Sequence, residues 1–206
     1  MWVVKLGGSL NGDPLLPQWL TLLTELGGGR VTVVCGGGAF ADEVRRAQAH
    51  WQFDDLAAHN MALLAMVQGA YMLRALCPTL EMVYSEASIR QVMHRGRTAI
   101  WMPLELLREQ PDADTNWDVT SDSIALGLAL RLNAERLLLV KSCAVDARQT
   151  LAELGAAGVV DKRLVGAAGN AACPIDVLSR DELPRVHRLL LGTSGPPVAQ
   201  FAMPRA

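Results

Sequence analysis

The chain has 206 residues, half of them hydrophobic, which is enough to bury one sizeable core and too few for two independent ones. Nineteen Lys and Arg against twenty-one Asp and Glu leave a formal charge of −2, not the clustered basic field that holds nucleic acid or an anionic membrane surface. The opening MWVVKLGGSL meets a charge and two glycines before any apolar run of signal-peptide length, and no stretch of about 18 uncharged apolar residues follows, so a soluble, cytoplasmic protein is expected.

Trp2 to Leu6 is a short apolar run that ends at Gly7 and Gly8, and Asp13 to Leu26 repeats apolar residues at helical spacing before Gly27. The unit recurs: Val31 to Cys35 is a second apolar run, Gly36, Gly37 and Gly38 follow, and Ala39 to Trp51 has helical composition. Strands that are apolar throughout and alternate with helices predict a parallel sheet covered on both faces. Leu56 to Leu76 reads as a long helix, apolar on more than one face, to be buried in the core or against a second subunit; a homodimer or higher homo-oligomer is expected. Strands follow at Leu80 to Tyr84, Thr98 to Met102, Arg136 to Val140 and Ile175 to Leu178. Helices are expected at Ala87 to His94, Ser121 to Leu132, Leu151 to Ala157, after Asp161, and at Asp181 to Leu190, with an edge strand at Val198 to Met203. Residues 1–206 form a single domain in this reading.

Chemistry gathers at the carboxyl ends of the strands. Lys5-Leu6-Gly7-Gly8-Ser9 places a charge and two residues without Cβ where open α/β sheets bind ligands, so backbone N–H groups of Gly7, Gly8 and Ser9 can approach phosphate oxygens. Gly36, Gly37 and Gly38 offer a second nest of amides for an anion. Neither turn spells a P-loop or the G-x-G-x-x-G dinucleotide fingerprint. Asn116-Trp117-Asp118-Val119-Thr120-Ser121-Asp122-Ser123 opens a helix with more carboxylates and hydroxyls than capping requires, and Leu138 to Lys141, followed by Ser142 and Asp146, is another strand that ends in a lysine. Lys5, Lys141 and Lys162 are the only lysines among the nineteen basic residues, which suggests sites that need a compact point charge and not a planar fork. Cys35, Cys77, Cys143 and Cys173 lack the spacing of a zinc site or disulfide framework and read as buried free thiols; no metal ligand set is predicted.

In this order, Lys5-x-Gly7-Gly8-Ser9, the triple glycine, Thr120 to Ser123 and Lys141 to Asp146 resemble the amino acid kinase superfamily, which includes N-acetylglutamate kinase, uridylate kinase and isopentenyl phosphate kinase. Lys-Ser-Cys-Ala-Val-Asp at 141–146 is similar to the uridylate kinase pattern, although Ala147 stands where that family usually has Gly. Ala58-His59-x-Met61-Ala62 and Trp117 to Ser123 resemble the short members linked to methanofuran biosynthesis and tetrahydromethanopterin-dependent one-carbon metabolism, whose characterised archaeal activity converts an aminomethylfuran methyl phosphate to its diphosphate.

The resemblance implies a three-layer α/β/α sandwich around a mostly parallel sheet, with residues 1–115 binding the acceptor and 116–206 binding ATP. It implies that Lys5 meets the charge developing on the transferring phosphoryl, that Gly36 to Gly38 hold an acceptor phosphate, and that Asp122 orients Lys5 and Lys141. Thr120, Ser121, Ser142, Asp146 and Lys162 fall on the nucleotide side, Lys162 being equally readable as a solvated residue at a helix start. Mg²⁺ is expected to arrive with ATP on phosphate oxygens. His59 is either a core histidine or an acceptor contact, Asp54, Asp55 and Asp118 are candidates for an acceptor ammonium, and Trp117 for a flat ring. The expected partner is a small anionic acceptor, a phosphomonoester. The alternatives are a nucleoside monophosphate kinase and a nucleotide sensor or storage protein without turnover.

Overall fold

The computed structural model describes residues 1–193, so the expected edge strand at 198–203 lies outside the described residues. The elements run β1 (Trp2–Leu6), α1 (Leu16–Glu25), β2 (Val31–Cys35), α2 (Gly38–Trp51), α3 (Asp55–Leu76), β3 (Glu81–Val83), α4 (Glu86–His94) and β4 (Ala99–Trp101). Then follow α5 (Ser121–Arg131), β5 (Arg136–Lys141), α6 (Leu151–Ala156), α7 (Lys162–Ala168), β6 (Ile175–Ser179) and α8 (Leu183–Leu190). Every strand pairing is parallel and the sheet order is β3-β4-β2-β1-β5-β6. The chain builds outward from β1 to one side, then returns to place β5 on the other. The order therefore reverses at β1, and the carboxyl ends of β1 and β5 form the crevice where such sheets bind ligands.

The period-2 alternation of the strands divides the core between two faces. Trp2, Val4, Leu6, Leu138 and Val140 pack with Trp19, Leu23 and Val186 of α1 and α8. Val3, Leu137 and Leu139 pack with Ala125, Leu128 and Ala129 of α5 and with Leu154 and Leu164 of α6 and α7. Lys5 and Lys141 continue this second series, so alternation alone directs both lysines toward α5. Helix α3 is long and apolar enough to cross a bilayer by composition, yet Leu63, Met66, Val67, Ala70 and Leu73 lie in the core. Met61, Leu64 and Tyr71 remain exposed on it.

Two boundaries differ from the sequence reading for local reasons. Helix α1 starts at Leu16 and not Asp13, because Gly8–Gly12 forms a 3₁₀ turn and the Asp13 carboxylate accepts from Leu15 N at 2.9 Å and pairs with Arg180. The expected helix from Asp181 divides into a 3₁₀ turn at Arg180–Glu182 and α8, where Pro184 sits in the first turn and its missing N–H costs nothing.

The two glycine turns lie back to back. A Cβ on Gly8 would stand 2.1 Å from the backbone nitrogen of Gly38, and a Cβ on Gly36 2.4 Å from that of Gly8. Gly38 also has φ +53°, in the left-handed region. Glycine here lets two backbones touch, whatever the turns bind. Gly8→Ala should therefore destabilise the protein by about 3 kcal/mol, because neither partner is a side chain that can move away. Gly127→Ala, in helix α5 with nothing within 4 Å of the new Cβ, should be neutral or stabilising by about 0.5–1 kcal/mol. Urea unfolding of both variants checks the contrast, and equal stabilities would contradict it.

Candidate active site

Three charged side chains meet under the crevice. Lys5 Nζ lies 2.7 Å from Asp122 Oδ1 as an ion pair, and Lys141 Nζ donates to Asp122 Oδ2 at 2.5 Å. Their side chains are only 5%, 11% and 4% exposed for Lys5, Lys141 and Asp122. The geometry follows from register: Lys5 pairs with Leu139 across the sheet, so Lys141 stands one pleat further along the same face of the neighbouring strand. Asp122, in the first turn of α5, reaches down between them.

Two ammonium groups on one carboxylate leave one positive charge in excess. Burial pushes the Asp122 carboxyl up, but Lys5 and Lys141 outweigh it and hold it below its ordinary 3.8. Burial, with the neighbouring charge of Lys5, pulls Lys141 below its ordinary 10.5, against the opposing pull of Asp122 and Asp161. An anion delivered to this point would relieve the excess, and the desolvated surroundings would strengthen the attraction.

Above the triad opens a cavity of about 500 Å³, a size suited to small molecules. Lys5, Gly8, Ser9, Gly37, Gly38, His59, Asp118, Thr120, Ser121, Asp122, Lys141 and Lys162 all line it. Gly7, Gly36, Asp54, Ser142 and Asp146 do not. Gly7 N donates to Val140 O and Gly36 N to Leu6 O, both at 2.9 Å, so these amides continue the sheet. Ser142 Oγ instead bonds Ser9 Oγ at 2.7 Å. Asp146 pairs with Arg148 on the surface, and Arg148 holds its carboxyl down at about 2. Asp54 caps α3 by accepting from Ala57 N at 2.8 Å, and it is the next residue, Asp55, that lines the cavity. The missing side chain of Gly37 would meet Ala41 and Ala65, so substitution there collides first with helix packing.

Several cavity residues already have partners. Asp118 pairs with Lys162 at 2.9 Å, both exposed. The Trp117 ring carries the Arg45 guanidinium 4.2 Å from its centroid and donates from Nε1 to Gln48 Oε1 at 2.7 Å, so Arg45 occupies the face considered for a flat substrate ring. His59 is buried; burial, with Arg108 nearby, lowers its pKa, which keeps it neutral near pH 7. Its Nε2 has no hydrogen-bond partner among the described residues. Of the cysteines, Cys35 and Cys173 are buried, and burial pushes the Cys35 thiol up to about 12, while Cys143 is exposed.

Arg45 and Asp161 line the cavity and were not singled out from the sequence. Arg45 lies in α2 two turns beyond the triple glycine, which was a usable signal. Asp161 had only the local signature of a helix cap, yet it accepts from Thr120 and Ser123, 41 and 38 residues earlier.

Removing the shared carboxylate should be costly. Asp122→Ala leaves two buried ammonium groups without their counter-charge and should cost about 3–5 kcal/mol. Asp122→Asn tests the charge alone. The folded pKa of Asp122 lies below 3.8, so its contribution is complete above the ordinary carboxylate range and disappears as pH falls through the lower folded value. The stability gap between wild type and Asp122→Asn should be open at about pH 5, close as pH falls through the folded value of Asp122, and narrow again in alkali, where Lys141 without the pull of Asp122 sheds its proton. A gap that is already absent at about pH 5 would contradict the assignment.

Comparison with known proteins places this arrangement. Residues 1–144 match the Amino acid kinase family. A curated relative, [5-(aminomethyl)furan-3-yl]methyl phosphate kinase of Methanocaldococcus jannaschii, is 24% identical over 143 residues, covering 68% of this chain and 64% of that protein. Uridylate kinase from Archaeoglobus fulgidus superposes with a TM-score of 0.68 at 14% identity, covering 94% of this chain and 96% of that one. UMP kinase from Bacillus anthracis gives 0.68 at 17% identity, covering 93% and 91%. An all-parallel α/β fold of this kinase type, with the family profile running through β1, both glycine turns, α5 and β5, establishes that the chain belongs to the amino acid kinase family.

Proposed function

We propose that the protein transfers the terminal phosphoryl group of ATP to a small phosphomonoester, and that the acceptor is an aminomethylfuran methyl phosphate. The observation that carries the transfer is the buried Lys5–Asp122–Lys141 group at the floor of the cavity, with one unmatched positive charge. Phosphoryl transfer asks the protein chiefly for alignment and charge stabilisation. In this reading ATP enters along Ser121, Lys141, Gly155, Gly158, Val159 and Lys162, and the acceptor enters between Gly37, Arg45, Asp55 and His59. Lys5, on the central strand between the two sides, meets the group in transit. Mg²⁺ would arrive bound to ATP phosphates and supply charge neutralisation there.

The acceptor rests on less: the 24% identity to the furan phosphate kinase, over 64% of its length, and the carboxylate of Asp55 at the acceptor end, which suits an ammonium. Asp54 caps α3 and Asp118 pairs with Lys162; Asp55 lines the cavity, accepts from Gln48 Nε2 at 2.9 Å through Oδ1, and is the candidate for that contact through its other oxygen. The second reading, a nucleoside monophosphate kinase, is supported by the near-complete superposition on two uridylate kinases.

Purified protein with Mg-ATP and either aminomethylfuran methyl phosphate or UMP separates the readings, with ADP and diphosphate product counted by mass spectrometry. The account expects the furan phosphate to be preferred and Lys5→Ala to lose transfer while retaining measurable ATP binding. A hundredfold preference for UMP, about 2.7 kcal/mol in transition-state stabilisation, would promote the second reading. ATP binding without turnover of either would return the acceptor to unknown, and turnover by Lys5→Ala within about tenfold of wild type would remove Lys5 from the chemistry.

A further inference from the structure

Asp161 belongs to none of the roles above, yet it gathers more donors than any other carboxylate lining the cavity. Its Oδ2 accepts from Thr120 N at 3.0 Å, Thr120 Oγ1 at 2.8 Å, Ser123 N at 3.0 Å and Ser123 Oγ at 2.9 Å. Its Oδ1 accepts from Leu164 N at 2.7 Å, which caps α7. Thr120 stands at the N-cap position of α5, but its own side chain caps nothing. The opening turn of α5 is thus capped from a distant part of the chain, and that turn carries Asp122.

We propose that Asp161 is the positioning residue of this site: one carboxylate caps α5 and α7 together and so fixes Asp122 between Lys5 and Lys141. An ordinary cap of α7 would need only the bond to Leu164. The bonds to Thr120 and Ser123 bear on α5 instead. Thr120 therefore serves the scaffold, leaving Ser121 as the hydroxyl of this turn on the cavity wall with no such bond. The residue type is specific. The donors point at an acceptor-only group, the single Ser123 hydroxyl proton having Thr120 O at 3.1 Å as a second acceptor, so an Asn amide would set its NH₂ against one set of them, and Glu would displace the joint by a methylene. Neighbouring contacts of the same joint, Lys162 with Asp118 and Arg163 with Asp114, both at 2.9 Å, are exposed and weak by comparison.

The joint also sets the field at Lys141, which is faced by Lys5 from β1, Asp122 from α5 and Asp161 from α7. Asp161 raises the Lys141 pKa, so loss of its charge should make Lys141 titrate at lower pH. Because the chain has only three lysines, protein labelled with ¹³C at the lysine ε-carbon gives one signal for each, assignable with single Lys→Arg variants.

The turnover arm of the test rests on the proposed kinase reaction; the lysine titration does not. In Asp161→Asn the Lys141 titration should move to lower pH, and kcat with Mg-ATP and aminomethylfuran methyl phosphate should fall about a hundredfold, the cost of a small misplacement of catalytic groups, with the acceptor KM little changed. Folded Asp161→Asn with an unmoved Lys141 titration, or with kcat within about threefold of wild type, overturns the proposal. If Asp161→Asn does not fold, the Thr120→Val/Ser123→Ala double variant keeps the charge and the backbone bonds while removing both hydroxyl donors. Its kcat should fall about tenfold at constant acceptor KM, and an unchanged kcat overturns the proposal. Wild-type protein that turns over no acceptor strikes the kinase reading and leaves the lysine titration to decide the role of Asp161. In that case, if Asp161→Asn also fails to fold, the Lys141 titration of the double variant decides: Asp122 released from its position should shift it, and an unmoved signal overturns the proposal.

Discussion

Burying two ammonium groups against one carboxylate is the constraint around which the rest is arranged. Lys5, Lys141 and Asp122 are all nearly inaccessible, and desolvating like charges at close range is unfavourable unless the shared counter-ion is held in place. The sheet supplies two of the three positions, since parallel register puts the lysines on one face of adjacent strands. The third position depends on α5. Its core residues Ala125, Leu128 and Ala129 anchor the helix laterally, and Asp161 holds its opening turn from outside. Stability and chemistry draw on the same contacts, because what keeps the buried charges tolerable also keeps them aimed at the cavity.

The glycine turns show the two demands coinciding in another way. Gly8 and Gly38 line the cavity and also allow the β1 and β2 turns to touch through backbone atoms. Side chains at either position would separate the turns and shift the amides together with the walls. On the proposed reading, a phosphate held here would meet a rigid wall, because the two turns pack on one another, and that rigidity would favour alignment of a donor and an acceptor.

Much of this was legible from local pattern. Apolar strands with period-2 alternation and helices with caps specify the layers, and a lysine closing an apolar strand marks the crevice at both Lys5 and Lys141. Asp122 was readable because its turn holds more polar groups than capping needs. What could not be read depends on distance in space. Asp161 carries the signature of one helix cap, and nothing near it in the chain reveals the bonds to Thr120 and Ser123. Asp54 and Asp55 are adjacent and chemically alike, yet one residue of helix phase makes the first a cap and turns the second to the cavity. Trp117 offered a flat face in sequence, but Arg45, more than seventy residues earlier, lies over it. Gly7 and Gly36 resembled their neighbours in type, while the hydrogen bonds to Val140 and Leu6 commit them to the sheet.

The central claim is that the unmatched charge of the buried lysine pair receives the transferring phosphoryl group. A crystal structure of the protein with Mg²⁺, a non-hydrolysable ATP analogue and aminomethylfuran methyl phosphate tests it most directly. The account predicts the terminal phosphate oxygens within about 3 Å of Lys5 Nζ and Lys141 Nζ, with the acceptor phosphate facing it across Gly8 and Gly38. A nucleotide whose terminal phosphate lies away from both lysines, with the Lys5–Asp122–Lys141 contacts undisturbed, would contradict it.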